Sequence, residues 1–373
     1  MDMATFAVDH GFVEAKLRGY RSAFLREDHY NHMKNLNSLE ELFQYLATET
    51  DYGEYIDSNS VSINSLKTTM KKKLSDELDF IEINCTSELS KFIFYIRAAH
   101  MIDNVMNIME GLKAGIAFPR LLASVDPIGY FPELKQAEIG ASDIASLYEY
   151  VLIDSPVSEF FSAYLDSLNT NRDMKNFNEV QTFFKEERPE KVRSMLKKIH
   201  LESFYAYCET LNPISRDNML RLLTLEADFK TLQVVYNSLE DNKDERLMIR
   251  QKLCPAVGQF YPLHFHLLKN VESLETLKDV VKGFLNYRRM LAEVQEPGNS
   301  AMGKTLEDLM YEEEVRALTL AFDEQANLAI FYAYVKLKEQ EIRNVVWFAE
   351  MISRKLDKNN LSWKKIIVPF ANE

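Results

Sequence analysis

The sequence predicts an all-α protein, a bundle of packed helices, and three observations support this prediction. Only 11 Gly and 10 Pro interrupt the 373 residues, and the stretches between them are dominated by Leu, Glu, Lys, Met and Ala, which are good helix formers. Apolar residues recur at helical spacing in the longest of these stretches. No run of alternating β-branched residues is bounded by hairpin turns.

The clearest helical period lies near the C-terminus. An apolar stripe there advances by steps of threes, fours and sevens, which predicts one long helix. Its members are Phe331, Val335, Ile342, Val345, Val346, Ala349 and Ile352. The same reasoning predicts helices of several turns over residues 87–112, 190–211 and 215–239.

Helix start signals agree with this periodicity. Ser38 and Thr305 each precede a helical stretch, with an acidic residue three positions later that can complete a capping box. Pro189 suits a first helical turn, where its missing amide hydrogen costs nothing.

A weak internal repeat suggests similar helical modules. Its copies begin at the cap residues Ser38, Asp143 and Ser273, and each has apolar residues one, four and eight positions later. A true triplication predicts modules about a pseudo-threefold axis with a central hollow. Chance similarity among amphipathic helices is the alternative, because the pattern is common. We treat the chain as a single domain, with possible modules at 1–112, 113–240 and 241–373.

Composition narrows the classes of function. With 44 basic and 57 acidic residues the net charge is -13, a balance that repels nucleic acid and anionic lipid headgroups. No window offers the ~20 apolar residues that a spanning helix needs, and the acidic N-terminus lacks the features of a secretory signal. We therefore expect any membrane association to depend on protein partners. The spacing of Cys85, Cys208 and Cys254 indicates neither disulfides nor a metal site, so we expect a reducing compartment and no cofactor.

The clearest catalytic-looking motif is the phosphate-loop pattern GxxxxGKT at residues 298–305. In a nucleoside triphosphatase this loop joins a buried strand to a helix, but here the preceding segment is charged, helical in character and closed by Pro297. The acidic stretch after the loop would oppose a bound triphosphate, and a Walker-B-like string at 151–154 belongs to no α/β alternation. We therefore expect a linker whose Thr305 caps the next helix, and no catalytic residue.

Polar residues interrupt one otherwise apolar helix on mostly one side. They are Arg97, His100, Asp103, Asn104 and Asn107. Polar groups on such a surface are either paired or facing water. Two interpretations follow: a stripe that lines a cavity or faces a partner, or a hydrogen-bond network between helices.

A second interruption lies in the middle of the long C-terminal helix, at residues 336–344. Glu339 and Arg343 there have the favourable i, i+4 order for an ion pair. A helix that is apolar at both ends and charged between could cross a gap between packed bodies or line a hollow. A solvated, exposed turn is the alternative.

Several ordered strings along nearly the whole chain resemble the d subunit of eukaryotic vacuolar-type ATPases, which is related to the C-type subunit of archaeal-type rotary enzymes. They include DHGFVEAKLRGYRSAFL at 9–25, TETDYG at 48–53, MIDNV at 101–105, LIDSPVSEFF at 152–161 and FYAYVKLKEQEIRNVVWFAEMI at 331–352. The last string, at 331–352, is the densest in residues that match the family. Their order and spacing carry the resemblance, more than any single string.

The resemblance implies a non-catalytic helical funnel with three-fold pseudo-symmetry. It implies a place on the cytoplasmic face of vacuolar or endosomal membranes, between the proteolipid c-ring and the central-stalk subunits D and F. A helical scaffold unrelated to rotary pumps and a phosphate-loop NTPase are the rival functions. The candidate interface or structural positions are Arg18, Asp103, Asn104, Glu226, Asp228, Glu339, Glu341, Arg343 and Asn344.

Overall fold

The structure is a computed structural model that describes residues 3–57, 61–136, 147, 155–168, 187–294, 305–356, 363 and 365–371. Every regular element among these residues is helical, so the all-α prediction is confirmed. Within the same ranges, no helix is both long enough and apolar enough to cross a bilayer.

The helices are labelled in chain order. The first eight are α1 (Met3–Tyr20), α2 (Glu27–Met33), α3 (Leu39–Glu49), α4 (Ile63–Ile83), α5 (Ser87–Lys113), α6 (Phe118–Leu122), α7 (Pro132–Gln136) and α8 (Ser158–Leu168). The others are α9 (Pro189–Glu209), α10 (Pro213–Asn237), α11 (Lys243–Leu253), α12 (Phe265–Lys269), α13 (Leu274–Val280), α14 (Leu285–Ala292), α15 (Leu306–Asp323) and α16 (Ala329–Ser353). Short 3-10 turns lie at Arg21–Ala23, Pro127–Gly129 and Val281–Gly283.

The chain forms two compact units. The large unit comprises Met1–Ser90 and Cys208–Glu373, and the small unit comprises Lys91–Tyr207. The division into three modules stays a prediction.

The long C-terminal helix α16 is the centre of the large unit. It packs most extensively against α15 and α4, and it also contacts α1, α3 and α10. Its side chains are buried on nearly every side of the helix, including Phe331, Tyr334, Leu337 and Val345. A helix that is apolar around most of its circumference is a core helix, and the predicted long helix is confirmed.

A second apolar core in the large unit lies around the C-terminal half of α10. There Leu232 and Val235 pack with residues of α12 to α15, such as Leu268, Leu277 and Leu291. This core supports the loop that joins α11 to α12.

The predicted helix starts are confirmed at the described positions. The Ser38 hydroxyl accepts a hydrogen bond from the Glu41 amide at 3.2 Å at the start of α3. Thr305 and Asp308 form a complete capping box at the start of α15, and Pro189 opens α9. The repeat copy at 143, the Walker-B-like string and residues 298–304 of the phosphate-loop match lie outside the described residues.

The small unit is organised around α5 and α9, which begin and end close to the predicted bounds. Tyr95 on α5 stacks on Phe204 of α9, with ring centres 5.1 Å apart. The 3-10 turn after α6 lies directly on α5, because a Cβ added at Gly129 would fall 2.3 Å from the carbonyl carbon of His100. Only glycine permits this close approach.

Candidate functional site

Four polar residues in the charged middle of α16 are buried, which corrects the alternative of a solvated turn. Glu341 has no exposed surface, and Lys338, Gln340 and Asn344 are nearly as buried. Buried charges of this kind require partners. The structure supplies them from segments that lie far away in the sequence.

Glu341 joins α16 to two segments of the N-terminal region. Its Oε2 accepts a hydrogen bond from the Leu25 amide at 2.6 Å, and its Oε1 accepts from the Tyr52 hydroxyl at 2.6 Å. The ammonium of Lys338 donates to the same Oε1 at 2.8 Å and lies over the Phe24 ring. Burial, and then the charge of Glu341, raise the pKa of Tyr52 well above its ordinary value, so its hydroxyl remains a donor.

A parallel cluster joins α16 to α4. The Tyr334 hydroxyl donates to Oε2 of Glu77 at 2.6 Å, and Lys73 forms ion pairs with Glu77 and, at 2.8 Å, with Asp51. Burial alone would lower the pKa of Lys73, but the two carboxylates outweigh it and raise the pKa. Sequence reasoning missed Lys73 and Glu77, although their i, i+4 spacing on a helix was a usable signal.

Glu226 belongs to a third polar group, between α10, α15 and α16. It accepts a hydrogen bond from the Tyr332 hydroxyl, and the Lys336 ammonium lies 4.0 Å from Glu226 and 3.9 Å from Glu314. Burial opposes the charge of Lys336, but Glu226 and then Tyr332 and Glu314 raise its pKa well above the ordinary value. The lysine is therefore a cation that links three helices.

Asn344 fastens the C-terminal segment to α16. Its Nδ2 donates to the Ile367 carbonyl at 2.7 Å, while its Oδ1 accepts from the Ile367 amide at 3.4 Å and from Nε2 of Gln340 at 2.8 Å. One amide side chain therefore pairs with both backbone groups of a single residue.

Arg343 does not form the ion pair with Glu339 that the sequence predicts. Its Nη1 donates to Oε1 of Gln340 at 2.8 Å, and its guanidinium stacks on the Tyr311 ring, 3.5 Å from the ring centre. Stacking on an aromatic face competes well with an exposed i, i+4 pair, which contributes only about 0.3–0.5 kcal/mol. Arg343 is exposed and Glu339 is partly so. Both therefore remain surface candidates.

Arg18 closes the C-terminal end of α15. Its Nη1 and Nη2 donate to the carbonyls of Phe322 and Glu324 at 3.1 and 2.9 Å, and Glu14 orients the guanidinium. A cation at this position satisfies carbonyls that the helix itself leaves open and complements the helix dipole. Its role in the structure is to join α1 to α15.

Asp228 is a buried carboxylate on α10 that contacts the loop after α11. It accepts from the Tyr287 hydroxyl at 2.6 Å and from the Phe260 amide at 3.3 Å. Burial raises its pKa to about 6, although these hydrogen bonds oppose the shift. Gly258, with φ of 108°, is required here, because a Cβ would lie 2.5 Å from Oδ1 of Asp228.

Arg250 is the most connected residue that sequence reasoning missed. It is fully buried, and its guanidinium donates to the Ser238 hydroxyl and to the carbonyls of Val235, Leu268 and Val271, among others. Burial lowers its pKa to about 10, which leaves it charged at neutral pH. The local sequence pattern offers no signal for it, because Arg250 is the only buried residue of α11.

In the small unit, the polar stripe of α5 is an interhelical hydrogen-bond network, the second of the two interpretations. Arg193 of α9 donates to Asp103, Asn107 and Glu110 at 3.2, 2.9 and 2.7 Å. Lys197 adds a 2.9 Å ion pair with Asp103.

Asn104 pairs with the backbone of Asp126 in both directions, at 2.8 and 3.0 Å. Asp103 and Asn104 thus hold α9 and the turn after α6 against α5.

The sequence candidates therefore form several separate sets. Arg343 and Asn344 are linked through Gln340, whereas Glu341, Glu226, Asp228 and Arg18 each lie in a different cluster. Within the described ranges, no group of three His, Cys, Asp or Glu side chains could hold a metal ion. The described contacts of these residues join helices and the chain segments next to them.

Comparison with known proteins places the chain in a family. The model of the family described as ATP synthase (C/AC39) subunit matches residues 13–363. The Probable V-type proton ATPase subunit d of Oryza sativa subsp. japonica is 32% identical over 357 residues, 95% of each chain. The V-type proton ATPase subunit d of Saccharomyces cerevisiae is 31% identical over 360 residues, 95% of this chain and 96% of its own. The resemblance predicted from the sequence is confirmed, and the chain belongs to the ATP synthase (C/AC39) subunit family.

Proposed function

We propose that the chain is a non-catalytic subunit of a vacuolar-type proton-transporting ATPase, where it couples the central stalk to the proteolipid ring. The observation that carries the proposal is the family match over residues 13–363. Relatives named V-type proton ATPase subunit d cover this chain and their own lengths almost completely. We place the subunit on the cytoplasmic face of vacuolar or endosomal membranes, with the c-ring and subunits D and F as partners.

A coupling part has to resist twisting, and the large unit contains a basis for that property. Ionic and hydrogen-bonded links join α16 to its neighbours. Those through Glu77 to α4 and through Glu341 to the chain before α2 are buried, and those through Lys336 to α10 and α15 are partly exposed. Close-packed interiors transmit strain instead of absorbing it. Contacts at several positions along α16 would therefore make the large unit rotate as one rigid body.

The buried candidates act within this framework, and the exposed ones are left for partners. Glu341, Asn344 and Asp228 have almost no accessible surface, so we assign them a structural role. Arg343 is an exposed residue and is our candidate for contact with a stalk or ring subunit.

A pull-down tests the assembly. The tagged full chain is recovered from detergent-solubilised membranes, and we expect proteolipid and stalk subunits to accompany it. Recovery of the chain with neither partner would favour a helical scaffold unrelated to rotary pumps.

Arg343→Glu then tests the coupling role in the assembled pump. We expect it to lower proton pumping per ATP hydrolysed or to weaken assembly, while Arg354→Glu directly after the same helix leaves both unchanged. Arg354 is a matched control because it is highly exposed and pairs with Glu350 one turn away. Equal pumping in the two variants would remove Arg343 from the interface.

The phosphate-loop alternative has a direct test. In such a loop the Thr305 hydroxyl would bind magnesium. Here it caps a helix, because it accepts a hydrogen bond from the Asp308 amide at 3.2 Å. We expect no binding of an ATP analogue to the isolated chain. Binding that is abolished by Lys304→Ala would support an NTPase.

A further inference from the structure

One segment of the large unit departs from the acidic character of the chain. Residues 246–270 contain no Asp or Glu, whereas the whole chain has 57 acidic residues and a net charge of -13. Acidic residues lie directly outside the segment, at Asp244 and Glu245 in the first turn of α11 and at Glu272 after α12, so the segment comprises the rest of α11, α12 and the loop between them. Its cations are Arg246, Arg250, Lys252 and Lys269.

The two helices of this segment are fastened side by side. From α11, the buried Arg250 donates to the carbonyls of Leu268 and Val271 at 3.2 and 2.6 Å. At the surface, Nζ of Lys269 donates to Oε1 of Gln251 at 2.6 Å. The exposed faces of α11 and α12 therefore adjoin each other.

Large apolar side chains of the same segment face solvent. Their exposed fractions are 76% for Leu263, 49% for Met248, 45% for Leu267 and 43% for Tyr261. The loop is anchored beneath them, because Phe260 is buried and its amide donates to Asp228 at 3.3 Å. The exposed side chains are thus carried on a supported backbone, within a segment whose exposed charges are cations.

We infer that this surface contacts an anionic phospholipid bilayer at the level of the headgroups. We call it the basic apolar edge, and it comprises Arg246, Met248, Lys252, Tyr261, Leu263, Leu267 and Lys269. Leucine side chains enter the boundary between headgroups and acyl chains, and tyrosine is favoured at that depth. Lysine and arginine reach lipid phosphates while their stems lie along apolar surface.

The composition of the edge favours lipid over a protein partner. The centres of protein interfaces are depleted in lysine, whereas lysine beside exposed leucine and tyrosine is typical of interfacial membrane segments. Lys252 on α11 and Lys269 on α12 belong to the same segment as the exposed apolar side chains, and this segment contains no carboxylate side chain. The inference goes beyond the proposed function, in which partner proteins make the membrane contact, and its test needs no partner.

Vesicle flotation with the purified full chain tests the inference. We expect binding to vesicles of 70:30 phosphatidylcholine and phosphatidylserine, weaker binding at high salt, and little binding to pure phosphatidylcholine. Leu263→Asp should reduce the bound fraction by about tenfold, since it places a charge at the most exposed apolar position. Lys252→Glu combined with Lys269→Glu should reduce it by at least about tenfold.

Leu320→Asp is the matched control, because Leu320 is 58% exposed on α15 and lies outside the edge. It should bind vesicles as the unchanged chain does, and all variants should keep the same helical circular dichroism. The inference is overturned if the unchanged chain stays unbound, or if Leu320→Asp weakens binding as much as Leu263→Asp. It is also overturned if Leu263→Asp leaves vesicle binding intact but loses proteolipid in the pull-down, which would make the edge a protein contact.

Discussion

Replacing Glu341 by alanine tests whether the charged middle of α16 holds the large unit together. The substitution removes the carboxylate that accepts from the Leu25 amide, the Tyr52 hydroxyl and the Lys338 ammonium. It also leaves Lys338, which is 2% exposed, without its counter-charge. Breaking a buried ion pair from one side costs about 3–5 kcal/mol, because the remaining charge stays desolvated.

We therefore expect Glu341→Ala to lower the free energy of unfolding by about 4 kcal/mol at pH 7. With a denaturant slope of about 2–3 kcal/mol/M, the urea midpoint should fall by roughly 1.3–2 M. Circular dichroism during urea titration measures the midpoint. Adding Lys338→Met should recover part of the loss, because no unpaired charge then remains, and the double-mutant cycle gives the coupling between the two residues.

Glu350→Ala is the control on the same helix. Glu350 pairs with Arg354 at 3.3 Å in an exposed i, i+4 geometry, and such pairs contribute about 0–1 kcal/mol. A midpoint for Glu341→Ala as high as that for Glu350→Ala would refute the argument that the buried cluster fastens α16.

Two further predictions concern the loop after α11 and its support. Burial raises the pKa of Asp228 to about 6, above the ordinary 3.8, so the folded chain holds a proton that the unfolded chain has released. This contribution to stability is complete below the ordinary pKa and is lost as the pH rises through about 6. Between pH 4 and 7 this loss lowers the free energy of unfolding by up to about 3 kcal/mol, and Asp228→Asn should remove that decline. Urea midpoints across this pH range measure it, and a pH profile unchanged by the substitution would contradict the prediction. Arg250→Met should lower the free energy of unfolding by about 3 kcal/mol, because it leaves several buried carbonyls without a hydrogen-bond donor. Lys252→Met nearby should change the melting temperature little.

The helices could be predicted because their signals are local. The stripe from Phe331 to Ile352 and the cap at Thr305 are each contained within a few turns of chain. The structure places both where the sequence predicts them. Helix existence depends on near neighbours, so a periodic sequence is sufficient evidence for it.

The polar clusters could not be completed from the sequence because their partners are distant. Glu341 bonds to Leu25 and Tyr52, which precede it by 316 and 289 positions. Asp103 is held by Arg193, 90 positions later. The sequence marks the polar residue on an apolar helix as unusual, but only the packing of helices decides whether water or another side chain satisfies it.

Arg343 shows the limit of local rules for charge. Its spacing from Glu339 favours an ion pair, yet the guanidinium stacks on Tyr311 from another helix. An aromatic face that excludes water on one side offers both a cation–π contact and burial of the planar group. A pair rule taken from isolated helices therefore fails where a tertiary neighbour is available.

Net charge is likewise a poor guide to the basic apolar edge. A total of -13 for the chain predicts repulsion from anionic lipid, but charges act over a Debye length of only about 8 Å at physiological ionic strength. A bilayer that approaches α11 and α12 is therefore attracted by Lys252 and Lys269 and largely screened from carboxylates on other faces. The same screening makes the predicted vesicle binding sensitive to salt. A salt-independent interaction would mean that the leucines alone, and not the cations, drive it.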